Sequence, residues 1–319
     1  MRIPPPSTHL ATTPERRRRL PYTKLPTIVR RGTVEAEPDR ALYDLQQLEI
    51  EWDRERGTLW TFMRPKGRAC YNTDLLDEFH RWQALIHKSF EGDAGLRYLV
   101  LGSRVPGVFS LGGDLRFFTG RIREQDREAL VEYGYSCVRI LHRNLQSLHL
   151  PVITIGLAQG DALGGGFESL LSFDVIVAEK GTKFGLPENL FGLFPGMGAS
   201  SLLVRKLGPG RAAEMILRGE VLTAEEMHEC GLVHILAERG EGVAAVQEYI
   251  ARNSRRHSSQ RAVYESFRVV HPISLKELER IVDLWADAAL TLREQDLRVM
   301  ERLIAAQDRI RAAALKATG

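Results

Sequence analysis

The residues whose types and spacing could do chemistry are two acids and two glycine-rich segments. One segment runs Ser110-Leu111-Gly112-Gly113-Asp114-Leu115, the other Ala162-Leu163-Gly164-Gly165-Gly166-Phe167-Glu168. Without a Cβ, glycine lets backbone approach a ligand closely. The first amides of a helix have no partner inside it and sit at the positive end of its dipole. Two such N–H groups, one from each segment, can converge on a carbonyl oxygen and stabilise the negative charge that develops there. Close helix–strand packing explains the same glycines without any ligand, so the glycines alone leave both readings open. The acids are Glu168, in the first turn of the helix that the second segment opens, and Glu188, in Gly185-Leu186-Pro187-Glu188. Singly, Glu168 could complement a helix dipole and Glu188 could be a solvated loop acid. Together they suit general acid–base work on an acyl group, because each follows a strand and α/β sites gather where strands end.

Other chemistries lack their residues. Neither glycine segment has dinucleotide-binding spacing, and Gly208-Pro209-Gly210 follows a helical stretch rather than a strand. The chain has no phosphate-binding P-loop and no GxSxG nucleophile elbow. His142 and His149 are seven apart and no HExxH is present, so no metal site is expected. Cys70, Cys137 and Cys230 form no CxxC, and their odd number gives no disulfide framework. They read as small core hydrophobes in a reducing, cytoplasmic setting. Met197 and Phe194, in Leu193-Phe194-Pro195-Gly196-Met197-Gly198, belong either to an apolar pocket or to ordinary core.

The elements that must position these residues follow from hydropathy. Leu48, Ile50 and Trp52 alternate with polar residues and predict a strand; residues 59–63 predict its hairpin partner. Leu75, Leu76, Phe79, Trp82 and Ile86 predict a helix over residues 74–87. Short apolar strands are predicted at 98–102, 151–157 and 175–178, and one long helix over 123–148. Strands alternating with helices argue for an α/β fold with crossover units. From Thr223 onward the pattern is almost wholly helical. After a break at His271-Pro272, a stripe from Leu275 through Trp285 to Leu292 predicts a long amphipathic helix toward Ile310, bent along its length. That stripe needs a partner surface, in its own core or on a neighbouring subunit.

The chain has 319 residues, enough to bury a large core without staples, and 44% hydrophobic content, which is ordinary for a globular protein. Its 44 Lys and Arg against 41 Asp and Glu give a net charge of only +3. Residues 1–31 carry eight Lys/Arg against Glu15 alone, so the remainder is mildly acidic. Residues 1–40 are expected to form a flexible, basic Pro/Arg-rich tail, residues 41–222 a core with the site, and residues 223–319 a helical region. No apolar run is long enough for a transmembrane helix, and the N-terminus lacks the apolar stretch of a secretory signal. Nucleic acid is not an expected partner at this charge.

The combination of the two glycine segments with Gly185-Leu186-Pro187-Glu188 and Phe194-Pro195-Gly196-Met197-Gly198 resembles the crotonase (enoyl-CoA hydratase/isomerase) superfamily, from about residue 43 to the C-terminus. Gly67-Arg68-Ala69-Cys70-Tyr71-Asn72-Thr73 and Leu284-Trp285-Ala286-Asp287 add a narrower resemblance to the diffusible signal factor synthases (RpfF-type) of bacterial quorum sensing. Ordinary hydratases usually carry Ala where Gly113 stands. The resemblance implies an α/β, crotonase-like spiral of repeated ββα units, with a helical C-terminal region that closes the acyl pocket and mediates trimers. It implies an oxyanion hole from the amides of Gly113 and Gly165, catalytic acids at Glu168 and Glu188, and an acyl pocket at Met197, Trp285 and Leu303. The implied substrate is a 3-hydroxyacyl thioester of acyl carrier protein or of coenzyme A, carried on phosphopantetheine, with no further cofactor. The implied reaction is dehydration to the cis-2-enoyl thioester, then hydrolysis to the free acid, in a homotrimer or dimer of trimers. Two rivals stand beside it: a conventional enoyl-CoA hydratase, and a non-enzymatic regulator whose tail binds RNA or whose body docks onto a sensor-kinase receiver domain.

Overall fold

The computed structural model describes residues 37–92 and 95–317; the basic tail expected over residues 1–40 lies almost entirely outside them. Strands β1 (Leu48–Asp53) and β2 (Thr58–Met63) form the expected hairpin, with Leu48 opposite Met63 and Asp53 opposite Thr58. Helix α1 (Thr73–Phe90) starts where the Asn72 side chain accepts from the Leu75 amide at 2.8 Å, and its buried face is Leu75, Leu76, Phe79, Trp82, Ile86 and Phe90. That cap satisfies one of the donors that a helix start leaves unpaired.

The chain then winds as a spiral. Each turn gives one strand to a large sheet, one short strand to a second sheet, and then a helix. The first full turn is β3 (Tyr98–Ser103), β4 (Val108–Ser110), α2 (Leu115–Arg123) and α3 (Arg127–Leu145). The second is β5 (Ile153–Ala158), β6 (Asp161–Leu163) and α4 (Gly165–Leu170). The third is β7 (Val175–Glu179), β8 (Lys183–Gly185), a 3-10 turn at Pro187–Phe191, α5 (Ala199–Leu207) and α6 (Pro209–Arg218). Strand β9 (Val221–Thr223), α7 (Ala224–Glu229) and β10 (Ile235–Ala237) close it, and α8 (Gly242–Asn253), α9 (His257–Val270), α10 (Leu275–Ala289) and α11 (Glu294–Ala317) follow. The large sheet runs β1-β2-β3-β5-β7-β10 and is parallel after its hairpin; the second runs β4-β6-β8-β9. This is the ββα spiral that the sequence resemblance implied.

Strand alternation gives the large sheet two buried faces. Trp60, Val100, Ile155 and Val177 point to the side covered by Val246 and Ile250 of α8. Leu59, Leu99, Leu101 and Ile176 point the other way, into the larger core shared with α1 and α3. Each such aliphatic side chain contributes about 1.5–3 kcal/mol by leaving water.

Two expectations need correction. The helix expected over residues 123–148 is α3, shorter at both ends, and α2 before it was not expected. Gln125 takes a φ of +55°, and Asp126 caps α3 by accepting from the Ala129 amide at 3.1 Å. Positive φ angles at Ser147, Leu148 and His149 end α3 at Leu145. The C-terminal stripe is two helices, α10 and α11, separated at residues 290–293. As expected, the region after Thr223 is almost wholly helical; its one strand among the described residues, β10, pairs with β7 and completes the large sheet. Among the described residues, no helix is long and apolar enough to cross a membrane.

Candidate active site

The second sheet organises the candidate residues. Strands β4, β6 and β8 lie side by side and parallel, so the segments leaving their C-terminal ends emerge together. Gly113 follows β4, Gly165 and Glu168 follow β6, and Glu188 follows β8. Because β6 is central, Gly165 and Glu168 stand between Gly113 on one side and Glu188 on the other.

The two glycine amides are unpaired and close. Neither the Gly113 nor the Gly165 N–H donates to any group among the described residues. Gly165 is the first residue of α4, which has no side-chain cap. A Cβ placed on it would lie 3.5 Å from the Gly113 nitrogen and 2.5 Å from Met197 Sδ. The carbonyl of Gly112 accepts from the Tyr71 amide at 2.8 Å. In a trans peptide the next N–H points the opposite way, so the Gly113 donor is turned away from Tyr71.

Glu168 is buried on α4, with 1% of its surface exposed. Its Oε1 accepts from the amides of Met197, at 2.8 Å, and Ala199, at 2.9 Å. Ala199 opens α5, which has no other side-chain cap. Glu168 therefore serves as that cap, and the positive helix end favours its charge. Burial outweighs these bonds and raises its pKa well above the usual carboxylate range. Glu188 sits beyond Pro187, with Oε1 only 2.5 Å from where a Cβ on Gly164 would be. Gly164 also has a φ of +53° and ψ of −129°, so a side chain there is excluded both by conformation and by the carboxylate. Although the residue is part-exposed, Glu188 Oε2 is shielded from solvent and has no hydrogen-bond partner. Burial first, then the neighbouring charge of Glu168, raises its pKa as well. Burial thus shifts both acids toward their protonated forms, and Glu168 is the one equipped with donors for its ionised form.

A cavity of about 320 Å³ opens onto all four groups. Its walls are Leu111, Leu115 and Phe118 from the β4 side, Phe191 and Met197 beyond β8, Val282 and Trp285 from α10, and Leu303, Ala306 and Gln307 from α11. Gly113, Gly165, Glu168, Glu188, Met197, Trp285 and Leu303, all singled out from the sequence, line this one cavity. Phe194 does not; it packs against the larger core. Cys70, Cys137 and Cys230 are free thiols. Cys137 lines a separate void of about 40 Å³ beyond Met197. Sequence reasoning missed Phe118, Tyr133 and Val282, which on α2, α3 and α10 have the pattern of ordinary core positions.

A family model described as enoyl-CoA hydratase/isomerase matches residues 58–277. A human mitochondrial enoyl-CoA hydratase domain-containing protein 2 is 40% identical over 185 residues, 58% of this chain and 60% of that protein. Human mitochondrial methylglutaconyl-CoA hydratase is 34% identical over 161 residues, 50% of this chain and 45% of that protein. The matched stretches thus span less than two thirds of these curated relatives. Among solved structures, that of Pseudomonas aeruginosa DspI superposes with a TM-score of 0.59 at 25% identity, covering 75% of this chain and 96% of that one. An enoyl-CoA hydratase from Bacillus halodurans gives a TM-score of 0.66 at 21% identity, over 82% of this chain and 100% of that one, a likeness of fold. With a spiral of this topology and a family match across most of its length, the chain belongs to the enoyl-CoA hydratase/isomerase family, of the crotonase superfamily.

Proposed function

We propose that this protein dehydrates 3-hydroxyacyl thioesters and then hydrolyses the enoyl thioester to a free cis-2-unsaturated fatty acid, the chemistry of a diffusible signal factor synthase. The observation that carries the reading is one apolar cavity in which two free amides face two acids of raised pKa. The motif resemblance selects the narrower reaction, and the likeness to DspI supports it.

In the first step the thioester oxygen accepts from the Gly113 and Gly165 N–H groups, each well-aimed donor lowering the barrier by about 3 kcal/mol. Glu168, stabilised as an anion by two amides, removes a proton from C2. Glu188, with no donor for a charged form, is protonated and gives its proton to the 3-hydroxyl. The C3–O bond breaks and water leaves. In the second step Glu188, now ionised, takes a proton from water as that water adds to the carbonyl. The same two amides hold the tetrahedral oxyanion. Glu168 returns its proton to the thiolate as the C–S bond breaks, which restores both acids.

A conventional hydratase is the second reading, favoured by the relatives of 34% and 40% identity, both named as hydratases or hydratase-domain proteins. It shares the first step run in reverse and lacks the hydrolysis. Mass spectrometry of products from 3-hydroxydodecanoyl thioesters, on acyl carrier protein and on coenzyme A, tests both. A free cis-2-enoic acid is expected. A trans-enoyl thioester with no free acid would leave the hydratase reading standing, and no turnover of either thioester would remove both. We also propose a homotrimeric assembly, measured by light scattering, and a reducing cytoplasmic compartment, which three free thiols suit.

A further inference from the structure

We infer that Tyr133 is a positioning residue for the Gly113 amide: its phenol clamps the peptide after Gly113 to the backbone of Tyr71 and so aims the Gly113 N–H into the cavity. The inference rests on the proposed reading of Gly113 as an oxyanion donor.

Gly113 is held only by its neighbours. The segment Gly112-Gly113-Asp114 meets the 70–72 segment through a single isolated parallel bridge between Tyr71 and Gly113. On the N-terminal side, Gly112 accepts from the Tyr71 amide. On the C-terminal side, the Tyr133 hydroxyl makes two bonds. It donates to the Tyr71 carbonyl and accepts from the Asp114 amide at 3.2 Å. The phenol oxygen thus ties both strands of the bridge together on the far side of Gly113. It lies 3.5 Å from where a Cβ on Gly113 would be.

The ring itself has little freedom. Tyr133 stacks on Phe117 at 5.3 Å between centroids and meets Phe118 edge-on at 4.9 Å; Phe118 in turn meets Trp285 at 5.0 Å. Helix α3 therefore delivers a rigid polar tip through an aromatic wall. Burial holds the phenol well above its ordinary range, so the donor to Tyr71 persists at any pH that supports assay. A peptide fixed at both ends before substrate arrives needs no reorganisation when charge develops on the thioester oxygen.

Tyr133→Phe keeps the ring and removes both bonds. The test compares it with the wild-type protein on one 3-hydroxyacyl thioester, by steady-state kinetics, by melting temperature, and by the infrared carbonyl band of the bound thioester. We expect kcat to fall about 10- to 100-fold, less than the loss of a whole oxyanion donor, with KM within about twofold and the pH optimum unchanged. The carbonyl band, shifted down in the wild-type complex, should return toward its position in water. A folded Tyr133→Phe protein with wild-type kcat and an unchanged band overturns the inference. A wild-type complex with no band shift overturns the oxyanion reading itself, a separate failure. If Tyr133→Phe does not fold, 3-fluorotyrosine at the same position keeps the shape and weakens the oxygen as an acceptor from Asp114. It should lower kcat twofold or more, and an unchanged kcat overturns the clamp.

Discussion

Glu168 and Glu188 are one residue type in two settings. Glu168 has two amide donors and a helix end; Glu188 has a shielded oxygen with no partner. Replacing either with Gln should lower kcat by about a thousandfold or more, measured on the purified variant against the wild-type thioester reaction. Their stability effects should differ. Folding raises the pKa of Glu188 above its ordinary 4.5, so the folded chain retains a proton that the unfolded chain releases. Stability therefore falls as pH rises from about 4.5 until the folded carboxyl has ionised. Glu188→Gln should melt with the wild type at acid pH and above it at alkaline pH; equal melting at alkaline pH would show that no buried charge is being penalised. Glu168→Ala should melt lower at neutral pH, because α5 loses its cap at a cost of about 1 kcal/mol or more. These acids were legible in the sequence only as a pair. A single glutamate after Pro187 looks like any loop acid, and its burial depends on Gly164, which lies far from it in the chain.

Helix α2 explains why position 113 has no side chain. A Cβ there would lie 2.6 Å from the Phe118 ring. Gly113→Ala should cost about a hundredfold in kcat and lower the melting temperature, and adding Phe118→Leu should recover most of the stability. If Gly113→Ala alone is neutral, the two positions are not coupled. Trp285 plays the matching part on α10, lying 2.6 Å from where a Gly196 Cβ would be. Trp285→Ala should lower stability by about 3–5 kcal/mol in urea unfolding and raise KM for long acyl chains. Among the elements, those with a long apolar period, the hairpin, α1, β3, β5 and β7, were readable. Strands β4, β6, β8 and β9 were not, since three residues are too few to show a two-residue alternation. Yet the segments that follow β4, β6 and β8 line the candidate cavity, and the sequence had placed them after strands of the other sheet. Helix α2 was missed, and α3 was expected to begin at Arg123, where α2 ends. Only the capping Asp126 marks the break.

Across the whole molecule, α11 closes the cavity by burying Ile304 and turning Leu303 inward, and ion pairs tie its outer side down. Arg68 and Arg116 both reach Asp308, and Arg123 reaches Glu294 and Glu301. Exposed ion pairs contribute little to global stability, so Arg123→Ala should hardly move the melting temperature. It should still quicken limited proteolysis at residues 290–293, where α10 and α11 join, because local opening needs fewer contacts broken than unfolding does. Unchanged cleavage would mean that packing alone holds α11. The same arrangement has a consequence for how the chain is made. The spiral is threaded from the N-terminus, so Gly113, Gly165 and Glu188 leave the ribosome in that order, while Trp285 and Leu303 follow much later. At common elongation rates, a nascent chain that has finished its third turn waits roughly ten seconds for its last two helices. Through that interval the apolar walls of the cavity stand open to water as a greasy furrow. A message truncated before residue 275 would thus yield a sticky, unlidded spiral and a burden on chaperones, more than a merely inactive chain.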